Sequence, residues 1–594
     1  MPTDSIYMTS ETVYCLLPEL VLAGAATFIV LAGVFFAGRA VWSWVGVAAV
    51  LLAGWLLYGQ YERYFWHGQN PVELAIEGDG PAQADATTDG VADVAKRDFN
   101  HTVRAAGEPS LTANVAGPLA IDLFAQYVQW LVLILGLALM LMSARPAADV
   151  QAPEYASTLM FAIAGMMLVA SARELVLLFL GLEMISIPTY VLLYLGRRDV
   201  NSQEAAAKYF FLSIVSSAIM LYGFSFLYGA AGTTQLELVR EVLLSANANG
   251  TTWFARLALV LIFAGLAFKL TAVPFHFYAP DVYQGTTNIN AAVLSVLPKL
   301  GALVALIRII VVAMPGFEVY GWRIALVVAL LTMTLGNVVA LWQDNIRRML
   351  AYSSIAHGGY MLIGLAVALA AGSGAKSAAG FDGVGGVLFY VTVYAIATTG
   401  ALATLIYLGR GVKQVDTVED LAGAARAHPG AGVAMAIFMF SLAGIPPLAG
   451  FWGKLNLFTG ALSIHDAAGS EGGLRRWFIA LAVIGVLNAA ISAGYYLRII
   501  AVMYFRPSTE NSGVAEGGPG AALAMTLCAV LVVVSGVIPD PIQVGANSAS
   551  RSIFVTAAPK DATKAVTETS PSDAVVLARS ASEVSSTAGA KDSR

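Results

Sequence analysis

The chain has 594 residues, of which 58% are hydrophobic and 12% charged, and a formal net charge of -5. A soluble domain carries about 25% charged residues, so this deficit, with repeated apolar runs of about 18 residues or more, marks a polytopic membrane protein and argues against a nucleic-acid partner. Cys15 and Cys528 both lie in apolar runs and offer neither a disulfide framework nor metal-ligand or iron–sulfur spacing.

The first apolar run begins after Glu11, contains Glu19 and has no basic leader, which reads as a membrane span, not a cleavable signal. Fourteen spans are predicted near 13–36, 40–59, 119–142, 156–172, 174–195, 206–230, 253–278, 289–313, 322–342, 346–370, 385–408, 431–460, 477–505 and 521–539. Their runs are continuously apolar, which excludes a membrane β-barrel and requires helices that satisfy their own backbone. The expected fold is an all-α polytopic membrane protein with two inverted five-helix repeats, each containing a proline-broken helix.

The expected organisation follows the chain. Residues 1–60 hold helices 1 and 2, residues 61–118 a polar, acidic insertion loop, and residues 119–150 helix 3. The first repeat (helices 4–8) runs over 151–315 and the second (helices 9–13) over 316–508, with helix 14 in 509–542. The Ser/Thr/Ala-rich tail, 543–594, is expected to be disordered. Basic loops GRRDVN (196–201), NIRRML (345–350) and GRGVK (409–413) share one side if spans alternate, although Arg475 and Arg476 fall opposite. That side should be cytoplasmic, and an even span count then puts both termini outside.

A few charges interrupt the spans: Glu183, Lys208, Lys269, Lys299 and Lys454, joined by the titratable His276 and His357. A charged side chain at mid-bilayer costs about 2.5–3.5 kcal/mol on insertion scales. Lys208 starts its span and could snorkel to the headgroups. Lys269, Lys299 and Lys454 lie too deep for that, about eight or more residues from either run end, so a functional role is favoured. Glu183 reads as a counter-ion for Lys269, static or movable, and each histidine alone reads as a polar packing residue.

Prolines sharpen this pattern. Pro274 follows Lys269 by five residues, and Pro446 and Pro447 precede Lys454 by about two turns. A proline-broken helix survives in a membrane only where protein or water covers the freed backbone. Paired breaks in two halves point to an ion path. A buried lysine with a movable carboxylate has a tunable hold on its proton, which is the chemistry of a proton relay.

The motifs LFLGLEMISIP (178–188), AAAKYFFL (205–212), GLAFKLTAVPFHFYAPDVYQG (265–285), SVLPKLGAL (295–303), NIRRMLAYSSIAHGGYMLIG (345–364) and SLAGIPPLAGFWGK (441–454) carry a resemblance. They resemble the antiporter-like, proton-pumping membrane subunits of respiratory complex I, a family similar to Mrp-type cation/proton antiporter subunits. The resemblance spans about residues 10–540 and implies roles residue by residue. Glu183 and Lys269 would form the ion pair of a first half-channel, Lys299 the central lysine, and Lys454 the terminal lysine of the second broken helix. Lys208 corresponds to a further family lysine and His276 to the histidine beyond the first break.

The resemblance implies a proton-translocating subunit of a bacterial inner-membrane translocase with no redox site, cofactor or metal of its own. NADH, FMN, iron–sulfur clusters and quinone would belong to partner subunits: the redox arm, neighbouring antiporter-like subunits and small membrane subunits. The insertion and the tail depart from the family pattern. The alternatives are an Mrp-type sodium/proton antiporter subunit and a scaffold whose charges only lock helices together.

Overall fold

The computed structural model describes residues 10–35, 39–66, 112–113, 118–144, 151–196, 199–246, 252–372, 383–409, 415–466, 473–507 and 517–556. Most of the 61–118 insertion, residues 197–198 and 410–413 of the basic loops, and the tail beyond 556 lie outside them. Among the described residues, eleven helices are long and apolar enough to cross a membrane, beside the shorter apolar helices Leu17–Gly33 and Pro429–Ala443. Each of the fourteen predicted spans falls on a helix or a pair of half-helices.

An N-terminal unit comes first. It comprises α1 (Ser10–Cys15), α2 (Leu17–Gly33), α3 (Arg39–Tyr61) with a π turn at Glu62–Trp66, and α4 (Leu123–Ser143). A two-stranded antiparallel ribbon, β1 (Thr112–Ala113) and β2 (Ile121–Asp122), leads into α4. Asp122 caps α4 by accepting from Ala125 N at 2.7 Å, satisfying a donor that a helix start leaves orphaned.

Two five-span units follow. The first comprises α5 (Ala152–Ser171), α6 (Leu175–Gly196), α7 (Val200–Ala231), the short amphipathic α8 (Leu236–Ala246), the half-helices α9 (Thr252–Lys269) and α10 (Ala279–Gly285), and α11 (Asn288–Leu306). The last continues into a π segment, Ile307–Ala313. The second unit comprises α12 (Glu318–Ala340), α13 (Ile346–Gly372), α14 (Gly383–Leu408), the single turn α15 (Ala424–Ala427), the half-helices α16 (Pro429–Ala443) and α17 (Ala449–Leu462), and α18 (Leu474–Phe505). The units pack alike: α5 runs along α6 as α12 runs along α13, and α7 lies against α9 as α14 lies against α16. Five is odd, so the second unit enters the bilayer from the face opposite the first. In each, the fourth span is the broken one.

The breaks sit where the prolines are. Residues 270–278 separate α9 from α10 and hold the cis bond Val273–Pro274, while 444–448 separate α16 from α17 and hold the cis bond Pro446–Pro447. Thr271, with φ 60°, and Gly444, with φ 88°, turn the chain out of the helical path. Only at Gly444 does the left-handed turn carry no Cβ penalty.

After α18 come α19 (Gly518–Val537) and α20 (Asp540–Thr556). This last helix corrects the sequence reading, which begins a coreless tail at 543. Ala546, Ala549 and Ile553 are fully or almost fully buried, and the helix packs on α4 and α14. The Ser/Ala richness that resembles disorder is a small-residue stripe permitting close helix approach. Ser552 Oγ accepts from Phe124 N at 3.1 Å.

The interior is centred on α11, α13 and α14. Their most apolar stretches are 94%, 89% and 94% buried, against 33–78% for the other long candidate spans. Those three helices carry the central polar groups of the site, among them Lys299, His357 and Tyr394.

Candidate functional site

The first break presents an ion pair. Lys269 is the last residue of α9, its side chain is 3% exposed, and its Nζ lies 3.5 Å from Glu183 Oε1 on α6. The amine donates to Ser186 Oγ at 2.6 Å, and the carboxylate accepts from Ser217 Oγ at 2.5 Å. Ser186 is three residues beyond Glu183, so both face the same partner helix. Pro188 lies inside α6 and cannot supply a backbone donor one turn away. Glu183 is thus the counter-ion expected from the sequence, held by a hydroxyl on α7 as well as by the amine.

Lys299 lies at the centre. It is 1% exposed, and its Nζ donates to the Ser354 carbonyl oxygen on α13 at 2.5 Å. No carboxylate is within ion-pairing distance among the described residues. Ser354 Oγ is 2.7 Å from the Tyr394 hydroxyl on α14, which also bonds the Ser295 carbonyl at 3.2 Å, one turn before Lys299. Tyr283 of α10 reaches the same serine hydroxyl at 3.5 Å.

His357 continues the row. Its Nδ1 is 2.6 Å from the Tyr390 hydroxyl and its Nε2 2.9 Å from the Tyr496 hydroxyl. Tyr394 lies beside the ring, with centroids 4.8 Å apart. A neutral imidazole donates through one nitrogen and accepts through the other. The two phenols therefore take opposite roles, and a tautomer change reverses both. His357 is no isolated packing residue, as its lone appearance in the sequence would have it.

Lys454 ends the row. Its Nζ donates to the Leu442 and Ala443 carbonyl oxygens, both at 2.9 Å, and lies 5.2 Å from the Tyr360 ring centroid. Those carbonyls are the last of α16, where a helix leaves acceptors unpaired and carries partial negative charge. Here too no carboxylate pairs with the amine. A Cβ at Gly444 would sit 2.9 Å from Lys454 Cδ, so the same glycine turns the chain and admits the lysine. The breaks share a design: each key lysine stands at the C-terminal end of the pre-break half-helix. Lys269 belongs to that end, whereas Lys454 reaches back to it from α17.

Two candidates stand apart from this row. Lys208 is 40% exposed in its side chain and pairs with Glu204 at 2.6 Å and Asp281 at 3.1 Å. Asp281, on α10, also accepts from Arg348 of α13 at 2.6 Å. Lys208 is therefore part of a half-exposed clasp across α7, α10 and α13, and does not meet the buried amines. His276 sits half-buried in the first break, with its Nδ1 buried and unbonded.

Sequence reasoning missed Asp281 and the hydroxyl groups. One signal was present: Ser353, Ser354, His357 and Tyr360 lie three or four positions apart on α13, as do Tyr390 and Tyr394 on α14. That is a polar stripe on apolar helices. Among the described residues no group of three His, Cys, Asp or Glu side chains is disposed to hold a metal.

Residues 172–471 match the family model described as NADH:quinone oxidoreductase/Mrp antiporter, transmembrane. The chain is 40% identical over 395 residues to NADH-quinone oxidoreductase subunit N of Trichlorobacter lovleyi, covering 66% of this chain and 76% of that one. It is 37% identical over 441 residues to the protein of that name from Methylobacterium nodulans, covering 74% and 86%. A chain of the respiratory complex I of Thermus thermophilus is 28% identical, with a TM-score of 0.63, covering 89% of this chain and 98% of that one. A chain of the Mrp complex of a Dietzia species shares the fold, with 20% identity, a TM-score of 0.65 and coverage of 91% and 98%.

Proposed function

Because the chain belongs to the NADH:quinone oxidoreductase/Mrp antiporter membrane family, we propose that it is subunit N of an NADH-quinone oxidoreductase. In that role it moves protons through the row Glu183, Lys269, Lys299, His357 and Lys454. The observation that carries this reading is the row itself: three buried lysines, with a cluster of serine, tyrosine and histidine groups between Lys299 and Lys454 on the most enclosed helices. A scaffold would not need Lys299 and Lys454 to hold bare carbonyls.

The steps follow from the contacts. A carboxylate within about 4–6 Å favours the ammonium form of an amine, and its withdrawal favours release. Glu183 faces Lys269 across a break that gives α9 a free end, so relative movement of α6 and α9 changes the hold on that proton. A proton leaving Lys269 passes to Lys299, and the two are not hydrogen-bonded to one another; water supplies this link. From Lys299 the path continues to the hydrogen-bonded pair Ser354–Tyr394 and to His357, held between Tyr390 and Tyr496, and then to Lys454 beside Tyr360; water also supplies the links from Lys299, from Tyr394 to His357 and on to Lys454. Hydroxyls and a neutral imidazole both donate and accept, so such a chain hands on a proton without a buried net charge on every member. Lys208 and His276 act at the margins, Lys208 by clasping α10 and His276 as a polar group exposed by the break.

The subunit carries no redox site or cofactor in this reading. NADH oxidation, flavin, iron–sulfur clusters and quinone lie in partner subunits, and the chain sits in a bacterial cytoplasmic membrane with both termini outside. The names of the curated relatives favour subunit N, and the lysine at 454 favours it over the sister subunit M; the fold likeness to an Mrp complex keeps the antiporter as second reading. Purification separates them. Recovery with flavin- and iron–sulfur-containing subunits is expected, and recovery with small membrane partners alone would overturn the assignment. Lys269→Met and Glu183→Gln in the assembled complex should each abolish most proton pumping.

A further inference from the structure

Two buried carboxyl groups among the described residues lie outside the row, Asp122 and Glu19, and only Glu19 has no counter-ion. Glu19 lies in the first turn of α2, outside both broken-helix units, and is 6% exposed. Its Oε1 accepts from Gln129 Nε2 of α4 at 2.9 Å. Its Oε2 is buried and has no hydrogen-bond partner among the described residues.

Among the described residues, the surroundings give Glu19 no counter-charge. α2 packs on α5 and α3, and Gln129 comes from α4. Helix α4 carries no charged residue, and Asp122 ahead of it is spent on a buried, bidentate pair with Arg308 at 3.1 and 3.2 Å. The acidic residue of α5, Glu154, stands in its first turn. That end meets the far end of α2, because a Cβ at Gly33 would sit 2.4 Å from Pro153 Cβ. Beyond α3, the Arg63 guanidinium lies over the rings of Tyr14 and Tyr64, 5.0 and 5.8 Å from their centroids. Glu19 makes an ion pair with none of these.

An ionised carboxylate so placed loses its hydration, and an amide partner cannot offset that loss. An unbonded neutral hydroxyl costs far less. The difference decides the state. We propose that Glu19 is a protonated carboxylic acid: a proton-holding group of the N-terminal unit, and one that a hydrophobic carbodiimide will modify. The proton of the acid moves to a carbodiimide nitrogen while the carboxyl oxygen bonds the central carbon. The resulting O-acylisourea rearranges to an N-acylurea, so the adduct adds one whole reagent molecule and nothing leaves. This inference does not depend on the assignment to subunit N.

The test treats the intact membrane complex with dicyclohexylcarbodiimide and, in parallel, with a charged, water-soluble carbodiimide, followed by peptide mapping. The expected result is an adduct of one reagent mass on Glu19 from the hydrophobic reagent, in at least about tenfold excess over the soluble one. Infrared spectra of the complex should also lose a carboxylic-acid carbonyl band in Glu19→Gln. An unlabelled Glu19, or equal labelling by both reagents, overturns the proposal. The wild-type map decides the matter by itself, so a Glu19→Gln chain that fails to assemble leaves the result readable.

Discussion

At the scale of single residues, the three deep lysines are solved in two ways. Lys269 has a carboxylate and a serine hydroxyl; Lys299 and Lys454 have backbone carbonyls, and Lys454 also lies over the Tyr360 ring. Removing one member of a buried pair strands the other, at about 3–5 kcal/mol. Glu183→Gln should therefore destabilise the complex more than the double variant Glu183→Gln/Lys269→Met, measured as the thermal midpoint of the purified assembly. Equal losses would mean the pair is not energetically coupled. Gly444→Ala meets two obstacles, a left-handed φ costing on the order of 1–2 kcal/mol and a Cβ 2.9 Å from Lys454 Cδ. It should lower assembly yield and pumping together. Tyr390→Phe and Tyr496→Phe keep the rings and delete the hydroxyls on either side of His357. Each should leave assembly near normal and slow proton flux by about tenfold, roughly 1.4 kcal/mol on the limiting transfer, read from the rate of vesicle acidification.

Among helices, the consequential feature is that both broken spans have a free pre-break end beside a lysine. The clasp of Lys208, Asp281 and Arg348 ties the post-break α10 to α7 and to α13 of the other unit. Its members are 30–41% exposed, so it contributes about 0.2–1 kcal/mol per pair, little enough for α10 to move. Asp281→Asn should change thermal stability slightly while reducing pumping more than that loss explains; unchanged pumping would show that the clasp is merely structural. The sequence announced the breaks through Pro274 and Pro446–Pro447, each near a deep lysine, whereas Pro188 stands inside an unbroken α6. It announced the buried lysines because a charge deep in an apolar run is costly, although Arg308, in the same run as Lys299, was passed over. It hid Asp281, because one acid just past a break reads as loop, and it hid α20, because Ser and Ala are ambiguous between a solvated tail and a close-packed stripe. The Tyr–His–Ser cluster was visible only as spacing. Whether such a stripe faces the core or lipid depends on neighbours distant in the chain, as Tyr496 lies 139 positions from His357.

Taken as a whole molecule, the two units place the ion pair at one break, the carbonyl-held lysine at the other, and the enclosed helices α11, α13 and α14 between. Lys269 and Lys454 thus lie at opposite ends of one polar row, and the proposed path runs through both halves. Lys454→Ala should block pumping as completely as Lys269→Met. The most direct measurement is the number of protons taken up per NADH oxidised by vesicles holding the assembled complex with Lys299→Met, since Lys299 is the central lysine of the proposed row and has no carboxylate partner among the described residues. The account predicts assembly near the wild-type level with proton uptake reduced to a small fraction. An assembled Lys299→Met complex that pumps as many protons per NADH as the wild type would contradict it.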